Sequence, residues 1–364
     1  MLPFVMHPRG SRLWRTPPSP CTSIACCVAV AAVLATHSTV GATPPPATPA
    51  PIFGDYELTT VGNLNVADSI LEGPALVMGT ATLDHFTVGG DGTNATAAGD
   101  GSAGAPSPCD APLHALAVVG RATAKRGAII GRAVLGAKSI LAPTVALPCA
   151  EAARPPPVDG RADSRHAPPP NPWEVFGSTG GVDISPLRAA AARATATLCR
   201  LAPTGTATVM GTTLHLYPRG TVGHGGMAGL PGAAGVGGGP PGGNASCVDV
   251  FGVDHPPDGL TRVVYYGVGA PLLLYRFRSV RWRGMDMGHL DAARSLHVVC
   301  GGGRLDVDAS ALRGSLLAPA LHVAADAVEW AGRLAVEHLR GRAVRLRYGR
   351  WGGLPAAEVA NNLC

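Results

Sequence analysis

The sequence predicts an all-β fold, a parallel β-solenoid (β-helix) with one flanking α-helix, and three observations predict it. Small and apolar residues alternate in short runs, glycines return at matching intervals in separate parts of the chain, and one segment alone carries a helical period.

The alternation is clearest in "TTVGNLNVADSILEGPALVMGTATLDHFTVGG" and "LAVVGRATAKRGAIIGRAVLGAKSILAP". Gly62, Gly73 and Gly79 are spaced 11 and 6 apart, and Gly120, Gly131 and Gly136 are spaced 11 and 5 apart. Each unit opens on glycine and continues with alternate apolar positions, as in "GNLNV", "GTATL", "GRATA" and "GAKSI". Period-two alternation turns one face of a strand inward, and glycine permits the corner that starts the next strand. Units this short cannot bury a face alone, so they must stack. Residues 131–139, "GRAVLGAKS", come close to a phosphate-binding loop, but Ala137 intrudes between the second glycine and Lys138. A lysine displaced by one residue does not reach the phosphates as that motif requires, so these glycines read as corners.

The helix is "VDISPLRAAAARATATLCRL". Ser185 caps it, Pro186 takes the first helical position, and Leu187, Ala191, Ala194, Leu198 and Leu201 line one face until Pro203 ends it. It is expected to cover one flank of the stack. From Cys247 to about Trp351 strand formers return, and "LRGSLLAPALHVAADAVEWAGRLAVEHLRG" repeats the early pattern with Gly314, Gly332 and Gly341 as corners. Residues 323–339 also fit an amphipathic helix; the repeat favours strands.

Of 364 residues, 49 are glycine and 34 proline, concentrated in loops, so the core is shorter than the length suggests. Residues 1–42 have the order of a secretory signal peptide: Arg9, Arg12 and Arg15, an apolar stretch at 24–34 too short to span a membrane, and a small-residue ending. A Pro-rich linker (43–50) leads to a domain at 51–351, with low-complexity insertions at 89–112, 150–172 and 218–246, and a tail at 352–364. Loss of the three signal-segment arginines takes most of the formal charge of +5, which leaves no electrostatic case for nucleic acid. Six cysteines lie beyond the signal segment (Cys109, Cys149, Cys199, Cys247, Cys300 and Cys364) without a CxxC pair, a disulfide pattern whose pairing spacing does not fix. Sequons at Asn94 and Asn244 lie in the insertions and are candidate glycosylation sites.

Residues 53–89, "FGDYELTTVGNLNVADSILEGPALVMGTATLDHFTVG", a second "LAVVGRA" block, the helix followed by "TGTATVMGTTLHL", and "RGSLLAPALHVAADAVEWAGRLAVEHLRG" resemble, in that order, the choice-of-anchor A domain family. "GSLLAP", Gly314 to Pro319, is the most specific element. The resemblance implies an adhesive domain of secreted and surface proteins, similar to ice-binding proteins of the discontinuous β-helix type, with no catalytic centre. The chain departs from that family in its long Gly/Pro insertions and in showing no sorting motif or hydrophobic tail after Trp351. Retention through a partner, or release, is therefore expected instead of covalent anchoring.

The chemistry-bearing residues are few. Asp306 and Asp308 share one strand face, where a pair could bind calcium or act as acid and base, but two carboxylates without further oxygen ligands read better as a solvated edge. His85, His114, His215, His224 and His297 are scattered, with no HExxH, no metal-spaced Cys/His set and no GxSxG. No metal or cofactor is expected. Arg340, Arg342, Arg345 and Arg347, with Tyr348 and Trp351, are the candidate binding residues, as alternating guanidinium forks suit acidic polysaccharide. The plain reading sets them against Asp326, Glu329 and Glu337. The expected function is a secreted, non-catalytic adhesive or structural protein binding an extracellular polysaccharide or surface glycoprotein, with no membrane span after signal cleavage. The alternatives are a polysaccharide-active β-helix enzyme and an ice-binding protein, the latter needing a regular threonine array that the units do not supply.

Overall fold

Within Leu64–Leu71 the alternation buries Leu64 and Val66, exposes Asn65 and Asp68, and then buries Ser69 and Leu71, so its phase slips by one residue at Asp68. That slip is a corner. A computed structural model describes residues 56–89, 114–136, 138–149, 185–219 and 247–347, with Val359 and Leu363. The signal segment, the linker, Asn94, Asn244, Tyr348, Trp351, Cys109, Cys364 and nearly all of the three insertions lie outside the described residues.

The described part is mostly β, with one helix, α1 (Ser185–Leu198), and a 20-stranded parallel sheet that curls on itself. Three parallel ladders run through the sheet, and each pass of the chain feeds them in turn. The first ladder joins 248–254, 270–276, 296–299, 315–318, 334–336, 58–60, 75–77, 116–118 and 133–135. The second joins 279–283, 303–308, 321–326, 339–342, 64–67, 81–84, 122–124 and 140–141. The third joins 311–313, 329–331, 345–347, 69–71, 86–88, 127–129 and 145–146.

The order along each ladder differs from chain order. Leu58–Thr60 pairs on one side with Ala75–Val77 and on the other with 334–336, so the earliest described pass seats on the latest one. This seam joins residues about 275 positions apart, as in the bond from the Asn63 amide to His338 Nδ1 (2.8 Å, separation 275). Inside, Leu64, Leu83, Leu305, Val323, Leu339 and Leu346 belong to one core cluster.

Two kinds of corner make the passes superimpose. Gly62, Gly79, Gly120 and Gly136 stack between the first and second ladders, where a Cβ on Gly79 would lie 2.5 Å from the Gly62 carbonyl oxygen, and one on Gly136 would fall on that of Gly120. Gly136 of the near phosphate-loop motif is thus explained by close stacking, whereas Gly131, at φ 123°, turns the chain from the third ladder back to the first. The second kind carries side chains: Ala309, Ala327, Ala343, Asp68 and His85 all take φ between 45° and 51° between the second and third ladders. Each left-handed alanine costs about 1 kcal/mol, and backbone bonds hold the column, as from the Ala309, Ala327 and Ala343 amides to the Asp326, Arg342 and Ala67 carbonyls, each 2.9 Å. Gly341 is not a corner. It lies inside strand Leu334–Arg342 opposite Ala325 and Val66, at an inward position where the Val344 side chain leaves no room for a Cβ. Residues 323–339 are strand and corner, not helix.

Helix α1 covers the outer face of the first ladder, burying Ala191 and Leu198 against Leu272, Leu274, Leu296, Val298 and Leu317. Leu187 joins Leu76, Met78 and Ala117 in a smaller cluster. The Cys199–Cys300 disulfide fastens the end of α1 to the strand beneath it; Cys149 and Cys247 are disulfide-bonded as well. With the first ladder covered by α1, the outer faces of the other two ladders are, among the described residues, mostly exposed or half-buried.

Candidate functional site

The outer face of the second ladder is set by the register. Arg281, Asp306, Ala324, Arg340 and Asn65 form one row across it, and Arg283, Asp308, Asp326, Arg342 and Ala67 the next. All ten line a shallow groove of about 680 Å³, joined by Arg304. The small side chains of Ala324 and Ala67 form its floor, and the arginines rise around it.

Five arginines and three aspartates meet there, and most are engaged. Arg304 Nε lies 2.7 Å from Asp306 Oδ1, and Arg283 Nε lies 3.1 Å from Asp308 Oδ2. Asp306 and Asp308 do share the strand face that their spacing predicts, yet each is matched to its own guanidinium. Arg342 Nε reaches Asp68 Oδ2 at 3.4 Å across the seam. Among the described residues, the guanidiniums of Arg281 and Arg340 make no ion pair. They stand in one row three strand spacings apart, about 14 Å.

The arginine run of the sequence is divided by a corner. Arg340 and Arg342 lie on the second ladder, whereas Arg345 and Arg347 lie beyond Ala343 on the third. Arg345 pairs with Glu72 at 2.9 Å and Arg347 with Glu329 at 2.8 Å. The seam therefore takes Arg342 and Arg345 as clamps, and the structure adds Arg281, Arg283 and Arg304, which arrive from passes distant in sequence. Tyr348 and Trp351 lie outside the described residues.

A second cluster, His322, Glu337 and His338, brings three ligand-type atoms within 4.8 Å of one another, from positions whose spacing gave no metal signal. His322 Nε2 is 3.3 Å from Glu337 Oε2. His338 Nδ1, however, accepts the Asn63 amide hydrogen, so the neutral ring carries its proton on Nε2 and has no lone pair free for an ion. His338 fastens the seam, and the His322–Glu337 contact joins the two passes beside it.

Of the scattered histidines, His297 is fully buried. Its Nδ1 faces the Tyr275 hydroxyl at 3.2 Å and its Nε2 the Arg313 carbonyl at 2.9 Å, which the neutral ring satisfies by accepting at one nitrogen and donating at the other. Burial pushes its pKa down to about 4, only partly opposed by the carbonyl bond. Gly314 passes beside the ring at φ 105°, where a Cβ would lie 2.7 Å from Nε2. Ser315 Oγ accepts the Arg333 amide at 3.2 Å. The opening of "GSLLAP" is explained by these two contacts.

A family model described as "Putative Ice-binding-like adhesive domain" matches residues 49–344. The chain belongs to this family. The match supports an adhesive domain, although not under the choice-of-anchor A name. No curated protein and no solved structure matches. An adhesive domain implies a surface partner, and among the described residues no helix is long and apolar enough to cross a membrane.

Proposed function

We propose that the chain is a secreted, non-catalytic adhesive that holds an acidic polysaccharide, free or carried on a surface glycoprotein, against the outer face of its second ladder. The observation that carries this is the pair Arg281 and Arg340, two exposed guanidiniums without an ion pair among the described residues, in a groove where arginine outnumbers aspartate. A guanidinium presents a planar fork that matches carboxylate and sulfate oxygens. The shared register of the ladders supports a β-solenoid, and the apolar stretch at 24–34 supports export, with Asn94 and Asn244 as candidate glycosylation sites.

The pairing of Asp306 and Asp308 with arginines speaks against the enzyme reading. Glycoside hydrolysis needs both carboxyls turned to the scissile bond, whereas here each has an oxygen engaged by its own guanidinium. Ice binding is disfavoured by the same rows, which mix Arg, Asp, Ala and Asn before reaching Thr82 and Thr123. The threonines of "TATV", 206–209, belong to an antiparallel hairpin and not to a ladder.

The test is retention of the purified chain on acidic polysaccharide beads, comparing wild type with Arg281→Ala/Arg340→Ala. The double variant is expected to lose about tenfold in affinity, at the level of two exposed charge pairs, with unchanged thermal unfolding. Equal retention of both proteins would refute the assignment of this face.

A further inference from the structure

A different face presents a different chemistry. Thr206–Met210 and Thr213–Tyr217 form a hairpin turning at Gly211 (φ 60°), and 213–216 pairs in parallel with Arg262–Tyr265. Leu214, Leu216 and Val263 are buried beneath it, so the alternation turns His215 and Tyr217 outward, and Tyr266 continues beside Tyr217. The three rings lie with their planes within 11° of parallel: Tyr217 and Tyr266 have centroids 4.7 Å apart, His215 and Tyr266 5.8 Å, and His215 and Tyr217 6.2 Å. His215 Nδ1 is 2.8 Å from the Tyr266 hydroxyl, which fixes the rings before any ligand arrives.

Only 5% of the chain is aromatic, and the neighbouring tyrosines are spent inside. Tyr275 is fully buried, and Tyr265 donates its hydroxyl to Asp249 while meeting Phe251 edge-on. Tyr266, 44% exposed, faces the other way and is joined outside by Val268 at 67%. Aromatic surface in water is unfavourable, whereas flat rings edged by hydroxyl and imidazole nitrogens complement a pyranose, with its apolar C–H face and polar rim. A preset ring arrangement also reduces the entropy lost on binding.

We infer that His215, Tyr217 and Tyr266 form a second binding site, for an uncharged pyranose ring of a polysaccharide chain. This rests on the proposed polysaccharide-binding function but uses another face and another force. The arginine face acts through charge and weakens with salt, whereas stacking on the tyrosine shelf is insensitive to salt.

The full chain is assayed on insoluble neutral polysaccharides (β-glucan, chitin, mannan and xylan) and on acidic beads, at low and high salt. The proteins are wild type, Tyr217→Ala/Tyr266→Ala, Tyr217→Phe/Tyr266→Phe and Arg281→Ala/Arg340→Ala, each checked for unchanged thermal unfolding. Expected is salt-insensitive retention of wild type on at least one neutral polymer, lost about tenfold in the alanine pair, weakened less in the phenylalanine pair, which keeps the rings but not the hydroxyls, and kept in the arginine variant. The inference is overturned if wild type binds no neutral polymer while binding acidic beads, which leaves the proposed function standing. It is overturned equally if the tyrosine-to-alanine pair binds the neutral polymer as wild type does. Retention on neither kind of polymer overturns both.

Discussion

Replacing His297 by glutamine removes a titrating group from the core while keeping an amide able to donate to the Arg313 carbonyl. In the folded chain burial holds this histidine down to about 4, against 6.5 for an unhindered imidazole. Below pH 6.5 the unfolded chain takes up a proton that the folded chain refuses, so the unfolded state binds more protons and stability falls with pH. The stability contributed by the neutral ring is fully present above pH 6.5 and is lost as pH falls toward about 4. At 1.4 kcal/mol per pKa unit the loss is about 3 kcal/mol. His114, also lowered by burial and by Arg132, acts in the same direction. The assay is urea unfolding of wild type and His297→Gln through that pH interval. Wild type should lose stability steeply, and the variant, weaker at neutral pH because the imidazole that lies nearly parallel to the Tyr275 ring, centroids 5.9 Å apart, is gone, should lose about 3 kcal/mol less across it. An equally steep loss in the variant would refute the buried neutral imidazole.

Four further outcomes follow from the packing. Cys199→Ser/Cys300→Ser opens a link spanning 101 residues and should lower stability by about 2–4 kcal/mol, read as a fall in thermal midpoint. Gly62→Ala sets a Cβ 2.5 Å from His338 Nδ1 and 2.9 Å from the Glu337 carbonyl, which should cost about 1–3 kcal/mol and raise amide exchange along 58–60 and 334–336. Ala327→Val puts a β-branched side chain on an exposed left-handed corner at φ 51°, with an expected loss of about 1–3 kcal/mol; Asp68→Asn, touching only exposed ion pairs, should change unfolding by under about 1 kcal/mol.

Local features were legible in the sequence because their causes are local. Leu64, Val66, Leu83 and Leu305 announce inward faces by period two, the Gly62, Gly79, Gly120 and Gly136 column announces a close-packed corner, and Ser185-Pro186 announces the start of α1. The other corner column escaped because it uses alanine, aspartate and histidine. Its signal was present as a one-residue slip of phase, seen alike in "NVADSIL" and "DVDASAL". The seam was not legible, since parallel pairing between Leu58–Thr60 and 334–336 leaves no turn to read. The site depended on both. Without Ala343 as a corner, Arg340 to Arg347 looked like one surface, and without the register Arg281 had no reason to join Arg340. His322 and Glu337 likewise meet only when their passes stack, and the hairpin at 206–217 was concealed by resemblance to the ladder units.

The most direct test of the adhesive reading is the amount of chain retained on acidic polysaccharide beads at low and high salt, with the liquid assayed for released sugar. Expected is retention that falls as salt rises, depends on Arg281 and Arg340, and releases no sugar. Sugar release, or retention indifferent to both arginines, would contradict it.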